Sequence, residues 1–186
     1  RLINDIGDDP DQLPILQHAL MRTWDLFDER GGQGALDLEH YQATGGMNEA
    51  LSRHADEVYS ELPDAEHKRI AEKLFKSLTE KVDANRGIRR PMQLAELLEI
   101  CGGKESHLRE VLDAFRKTGC TFLMPAGEAK IKTKTVIDIS HESLMRAWRS
   151  LRNWVDEEAQ SAKIYRRLAD TATLYHEDKA GLYRDP

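Results

Sequence analysis

The chain has little of what a secreted or membrane-spanning protein needs. Its only two cysteines, Cys101 and Cys120, argue against a disulfide framework and are compatible with a reducing compartment. The longest uncharged stretch, near residues 119–127, is far shorter than the roughly 20 apolar residues that cross a bilayer. No secretory signal opens the chain. We therefore expect a cytoplasmic protein with no membrane partner.

The sequence also lacks complete motifs for phosphate or metal chemistry. Gly102-Gly103-Lys104 resembles part of a phosphate loop, but Glu105 stands where Ser or Thr must hold magnesium. His141-Glu142 resembles the start of a zinc-protease helix, yet Met145 replaces the second histidine ligand. The remaining histidines are scattered over different predicted elements, and we expect them at the surface or at helix caps: His18, His40, His54, His67, His107 and His176. The sequence predicts no catalytic residue and no metal site.

Charge is distributed unevenly along the chain. The net charge is −6, but residues 1–60 hold 12 acids and 4 bases, whereas residues 61–186 hold 21 acids and 23 bases. Such a change near Pro63 predicts two modules with different surroundings. Because the chain begins with Arg1 rather than Met, we also expect it to be part of a longer protein.

Residues 1–62 are predicted to form a small helical domain. A helix follows Asp11, and its apolar stripe is expected to be Leu13, Leu16, Leu20, Trp24 and Phe27. Asp37 is the expected N-cap of a short helix, residues 38–43, which Gly45-Gly46 ends. A third helix from about Met47 turns Leu51, Ala55, Val58 and Tyr59 toward the same core.

Residues 63–158 show the order helix, strand, helix, turn, helix, hairpin, which is typical of a winged helix-turn-helix. The elements are a helix after Asp64, an extended stretch around Ile88, a helix opened by Pro91, a helix ended by Gly119, and strands at 122–124 and 131–139. The apolar faces predict one shared core: Phe75, Leu97, Leu112 and Phe115. The predicted fold class is therefore mainly α, a small helical domain followed by a winged helix-turn-helix domain with a short β-hairpin.

Two C-terminal helices complete the predicted fold. One is expected from His141 to about Ala159 and the other from about Ser161 to Glu177. Residues 159–186 would then lead to a further domain downstream.

The most informative segment is the strand-to-helix corner at residues 136–148. An extended run ends at Ile139, and apolar residues then recur at helical spacing. Ser140 is a plausible N-cap, and Glu142 lies in the first turn. His141 would thus stand beside free backbone N–H groups, a place that suits an anion. Alternatively, His141 only helps to cap the helix.

Several segments, in chain order, resemble those of bacterial STAND-class signalling NTPases. The last of them is similar to that family's "HEALIREW…LRGWL" signature. The matching segments are residues 13–20 (LPILQHAL), 38–41 (LEHY), 45–47 (GGM), 51–55 (LSRHA), 139–148 (ISHESLMRAW) and 151–155 (LRNWV).

The resemblance implies the regulatory part of an ATP/ADP switch. In the family, a P-loop domain is followed by a small helical domain, a winged-helix domain and a sensor or repeat array, with possible oligomerisation on activation. A family proline against the adenine ring matches Pro14, and a histidine that reaches the β-phosphate of ADP matches His141. The Walker lysine, magnesium-binding acids and sensor arginine have no counterpart here. The fragment alone is therefore expected neither to hold ADP or ATP nor to be an enzyme, although its parent should be an ATPase.

An alternative from a different class is a DNA-binding winged-helix regulator. Residues 86–134 hold ten bases and six acids, and nucleic-acid binding requires a basic surface. The bases include Arg109, Arg116, Lys117, Lys130, Lys132 and Lys134. Acidic residues on the candidate recognition helix, Glu105, Glu110 and Asp113, would however repel phosphates. Nucleic acid is accordingly the less favoured partner.

Overall fold

The structure is a computed structural model that describes residues 12–81, 87–127 and 129–176. Within these ranges the chain is mainly helical, as predicted, with eight helices and two small antiparallel sheets. The elements are α1 (Leu13–Glu29), α2 (Leu38–Ala43), α3 (Gly46–Ser60), α4 (Ala65–Ser77), β1 (Thr79–Lys81), β2 (Gly87–Arg89), β3 (Met92–Gln93), α5 (Leu94–Cys101), α6 (Glu105–Arg116), β4 (Leu123–Met124), β5 (Val136–Ile139), α7 (Glu142–Ala147) and α8 (Arg149–His176). None of these helices is long and apolar enough to cross a membrane.

Two aspartates cap helices where the sequence predicted helix starts. The Asp37 carboxylate accepts from the backbone N–H groups of Glu39 and His40, at 3.0 and 3.3 Å. The Asp64 carboxylate accepts from the backbone N–H of His67 at 2.9 Å. The side chains of these two histidines also bind the capping carboxylates, at 2.7 and 2.8 Å. The predicted capping role is thus confirmed at His40, whose ring accepts from the backbone N–H of Asp37, whereas His67 is buried beside its capping carboxylate.

The buried face of α1 differs from the predicted stripe. Leu13, Leu20 and Trp24 are exposed, whereas Phe27 is buried as predicted, together with the smaller Ala19 and Thr23. The smaller residues bring α1 close to α3, its main neighbour. The hydroxyl of Thr23 donates to the Ala19 carbonyl at 2.7 Å, so its burial leaves no unsatisfied donor.

A three-stranded sheet has the order β3-β5-β4, with both pairs antiparallel. The predicted helix start at Pro91 is wrong, because Met92 and Gln93 pair with Ile137 and Val136 before α5 begins. The predicted strand over residues 131–139 is also too long. Its first part turns instead, and the carbonyls of Thr133 and Thr135 accept from the first N–H groups of α5.

The chain turns back on itself where α6 ends. The helix ends at Arg116, three residues before Gly119, which was predicted to end it. The backbone N–H groups of Phe122 and Gly127 donate to the carbonyls of Phe115 and Arg116. In a longer helix these two carbonyls would accept from N–H groups one turn later in the same helix. The buried Arg116 guanidinium also donates to the carbonyls of Pro125 and Ala129.

The break between the last two helices lies at Trp148, not near residue 160 as predicted. Trp148 has a non-helical ψ of 107°, and α8 then continues for 28 residues. The break places the Trp148 side chain in the core, where it is fully buried. Beyond Ala159 almost every described residue of α8 is exposed, including Ile164 and Leu168.

One hydrophobic core extends over most of the described chain. The four residues predicted to meet, Phe75, Leu97, Leu112 and Phe115, are all fully buried in it. The rings of Phe75 and Phe115 meet edge to face at 4.9 Å. The same core includes residues from α3 and the turn after it: Leu51, Ala55, Val58 and Leu62. Helix α3 therefore packs directly against the elements that follow it.

A second contact between α1, α3 and the segment after α6 is made by two histidines. Nδ1 of His54 and Nε2 of His18 lie 3.1 Å apart, and both rings pack on Phe122 at 5.2–5.3 Å. The expectation that these two histidines lie at the surface or at caps is wrong. Burial, with the charge of Arg22, lowers the pKa of His18 to about 4. Burial, with the charges of Arg22, His18 and Lys117, lowers the pKa of His54 to about 3.

The first prediction compares the stability lost at a buried core position with that lost at an exposed position of the predicted α1 stripe. Phe75→Ala should lower the free energy of unfolding by about 3–5 kcal/mol, because it leaves a cavity beside Phe115 and Trp148. Trp24→Ala, at a position 57% exposed, should change it by less than about 1 kcal/mol. Urea unfolding of both variants measures the difference. An equally large loss in Trp24→Ala would show that the Trp24 side chain is packed in the fold. An equally small loss in Phe75→Ala would show that Phe75 is not part of the core.

The second prediction concerns acid. Because His18 and His54 have lowered pKa values in the folded state, they bind more protons in the unfolded chain below pH 6.5, and their contribution to stability falls as pH decreases. Between pH 6.5 and 5 the free energy of unfolding should fall by at most about 1.4 kcal/mol per pH unit for each histidine. The double variant His18→Gln/His54→Gln should flatten this slope. The exposed His176→Gln should leave it unchanged, and a steep slope in the double variant would contradict the assignment.

Candidate functional site

His141 occupies the corner between β5 and α7. Its backbone is extended, with φ −150° and ψ 145°, and it is the N-cap residue of α7. The backbone N–H of Ser143 donates to Nδ1 of the ring at 3.1 Å. The predicted N-cap, Ser140, is wrong, because its backbone N–H donates to the Phe122 carbonyl and so remains beside the strand. The helix therefore begins one residue later than its sequence indicates.

This cap determines which ring nitrogen of His141 is the donor. A backbone N–H can only donate, so Nδ1 must be an acceptor. The hydroxyl of Ser143, 3.0 Å from Nδ1, can donate to the same atom. A neutral imidazole then carries its proton on Nε2. Capping uses one nitrogen and leaves the other as a donor, so a cap and a ligand contact are compatible at this residue.

The end of β5 before His141 is held by an ion pair. Nη1 of Arg89, on β2, donates to Oδ2 of Asp138 at 2.9 Å and to the Ile139 carbonyl at 3.2 Å. The other oxygen of Asp138, Oδ1, is buried and has no hydrogen-bond partner among the described residues. This pair is not predictable from the sequence, because 49 residues separate its members and neither belongs to a motif.

Pro14 is the second residue of α1. It suits the first turn, because the N–H that proline lacks has no partner within the helix there. Gln12, the residue before the helix, provides no side-chain cap. Pro14 is half-buried, while the neighbouring Leu13 is 58% exposed.

The structure places Pro14 and His141 on different elements with a common neighbour. Helix α1 packs on α2 and α3, and α7 packs on α3 and β2. Helix α3 thus contacts both the helix that carries Pro14 and the helix that His141 caps. Their joint contact with a nucleotide stays a prediction.

Other titratable groups have structural partners. The ring of His67 bridges Asp64 and Glu110, at 2.8 and 3.1 Å, and these carboxylates raise its pKa. Burial raises the pKa of Cys101 to about 11 and that of Cys120 to about 12, so both thiols are poor nucleophiles. In the part of the chain that the structure describes, no three His, Cys, Asp or Glu side chains are grouped to hold a metal ion.

The basic residues of α6 are engaged within the protein. Arg109 donates to Glu105 and to the Ile131 carbonyl, both at 2.8 Å. Arg116 is only 3% exposed, and its three donor nitrogens bind Asp113 and two carbonyl oxygens. These arginines hold the loop after α6, and they do not form a free basic surface.

Comparison with known proteins assigns the chain to a family. The family model described as nSTAND1, Novel STAND NTPase 1, matches residues 1–181. No curated protein and no solved structure matches the chain. The family match covers almost the whole sequence, including the corner at His141 and the helix start at Pro14. The chain belongs to the Novel STAND NTPase 1 family.

Proposed function

We propose that this chain is the regulatory part of an ATP/ADP-switched signalling protein. It closes over a nucleotide held by an upstream P-loop domain and transmits the state of that nucleotide to a downstream sensor or repeat domain. The observation that carries the proposal is the cap at His141, where Nδ1 accepts from the backbone N–H of Ser143. Nε2 is then the ring nitrogen that can donate to a ligand. The parent is a cytoplasmic ATPase with ADP or ATP as its ligand, and this chain alone is not an enzyme.

The order of elements from α4 to β5 supports a winged-helix domain. After the first helix, β3 pairs with β5, and β5 pairs in turn with β4. Helices α5 and α6 follow β3 and pack on α4. The hairpin β1–β2 is an addition between α4 and β3. This order of three helices and a three-stranded sheet supports the proposal of a winged helix-turn-helix domain.

In this proposal His141 donates from Nε2 to the β-phosphate of ADP, and Pro14 lies against the adenine ring. A hydrogen bond to a charged group contributes about 1.5–3 kcal/mol, which corresponds to roughly 10- to 100-fold in affinity. Leu13 and Trp24 leave an exposed apolar surface on the helix that carries Pro14. An upstream domain that holds the nucleotide would cover that surface.

The contacts of α6 argue against the DNA-binding alternative. Arg109 and Arg116 are engaged within the protein, and acidic residues stand on the same helix. A recognition helix needs free donors toward base edges and phosphates. We therefore retain the nucleotide switch as the proposed function.

The third prediction separates ligand contact from capping at His141. Asparagine is among the best N-cap residues, so His141→Asn should keep the cap and remove the imidazole donor. In the full-length parent, both His141→Asn and His141→Ala should raise the ADP off-rate about 10- to 100-fold and raise basal activity. Only His141→Ala should also lower stability, by about 0.5–2 kcal/mol.

Stopped-flow displacement of labelled ADP and thermal melting, on the same preparations, measure the two effects. A wild-type off-rate in His141→Asn, together with a lowered melting temperature in His141→Ala, would reduce His141 to a cap. Pro14→Ala in the same assay should weaken adenine binding without changing the contact at the phosphate.

The fourth prediction is that the isolated chain does not hydrolyse ATP, since it has no phosphate loop and no magnesium-binding acids. Phosphate release by the purified chain should equal that of buffer. His141→Asn serves as the matched control for contaminants. Release above buffer that disappears in this variant would show a catalytic site within the chain.

A further inference from the structure

The last turns of α3 hold the segment where α7 ends and α8 begins. Oδ1 of Asp56 accepts from the indole N–H of Trp148 at 2.6 Å and from the hydroxyl of Ser150 at 2.7 Å. The backbone N–H of Arg149 donates to Oγ of Ser52 at 3.2 Å. Three consecutive residues are thus bonded to one face of α3. We call these contacts, made by Ser52 and Asp56 with residues 148–150, the Asp56 clamp.

The clamp accounts for the break between the two helices. In a continuous helix the backbone N–H of Arg149 would donate to the carbonyl of Met145, four residues earlier. Here it donates to Ser52 instead, and Trp148 leaves the helical conformation. The side chain of Arg149 adds an exposed contact to Glu49, one turn earlier on α3, at 3.1 Å. Helix α3 therefore sets the direction in which α8 starts.

Only the first turns of the long helix α8 pack against the core. Its 28 residues extend about 42 Å at 1.5 Å per residue. Leu151 is buried and Trp154 and Val155 are half-buried, whereas residues 160–170 are all exposed. Helix α4 and strand β1 also contact α8, and Nζ of Lys76 on α4 lies 3.9 Å from a carboxylate oxygen of Glu158. The exposed distal half continues the direction that the packed first turns set.

From these contacts we infer that the Asp56 clamp makes α8 an output arm of the helical module. A rotation of α3 is carried through residues 148–150 to the distal end of α8. The clamp adds a transmission step to the proposed nucleotide switch, and it does not involve the contact at His141. Loss of Asp56 loosens the attachment of the arm to α3, while Trp148 and Leu151 stay in the core and the nucleotide contact remains.

The fifth prediction is tested by distances between spin labels at Asn48→Cys on α3 and Ala169→Cys on α8, both exposed positions. The buried thiols of Cys101 and Cys120 should not label. The wild-type clamp should give one narrow distribution, and Asp56→Ala should at least double its width. Asp56→Asn retains an acceptor oxygen and should keep the narrow distribution. The exposed Asp28→Ala removes the same charge and should also keep it.

Amide hydrogen exchange gives a second readout. The Arg149 amide should exchange at least tenfold faster in Asp56→Ala than in the wild type. If Asp56→Ala does not fold, Ser150→Ala removes one hydrogen bond of the clamp instead. The distance distribution and the exchange rate of the Arg149 amide in that variant then test the inference. A narrow distribution and wild-type exchange in a folded clamp variant would overturn the inference.

In the full-length parent, Asp56→Ala should uncouple output from nucleotide and leave the ADP off-rate at its wild-type value. A raised off-rate would place Asp56 in the nucleotide contact and overturn its role as a transmission residue. A wild-type off-rate in His141→Asn would reject the proposed nucleotide contact while the label distances still test the clamp. The two proposals can therefore fail independently.

Discussion

The rest of the structure depends on how the indole of Trp148 is buried. The ring is fully buried, and it meets Phe75 and Trp154 edge to face at 4.8 and 5.2 Å. A buried indole must also satisfy its N–H, which otherwise costs about 1–3 kcal/mol. The acceptor is Asp56 on α3, 92 residues earlier in the chain. Burial of this tryptophan thus requires α3 to be in place.

The same anchor explains how a short corner can hold a defined histidine. Helix α7 has six residues, and a helix of that length is unstable by itself in water. It is held at one end by β5, which lies between β3 and β4, and at the other end by Trp148. His141 stands seven residues before that anchor and two residues after the last residue of β5. Its cap geometry is therefore a consequence of the two fixed ends.

Local sequence signals predicted most of the helices and strands, but they could not predict contacts between residues that are distant in the sequence. The caps at Asp37 and Asp64 and the apolar face of α6 follow from residues within one or two turns. The buried face of α1 does not follow from local residues. Whether Ala19 and Thr23 or Leu13 and Trp24 are buried depends on how closely α3 approaches α1. In the candidate site, the corner at His141 was predictable from the strand-to-helix change. Its tautomer was not, because it depends on a single hydrogen bond to the Ser143 backbone.

Magnitudes decide which parts of the protein can move in a switch. Burying one large aliphatic side chain stabilises by about 1.5–3 kcal/mol, and α3 with its following turn buries Leu51, Val58 and Leu62 in the core of the second module. Shifting a two-state equilibrium from 1:99 to 99:1 takes about 5.5 kcal/mol. One hydrogen bond from His141, at about 1.5–3 kcal/mol, is smaller than the cost of separating these surfaces. In the proposed switch, loss of the nucleotide contact would thus move α3 and α8 together against the proposed upstream domain, with the core that they share intact.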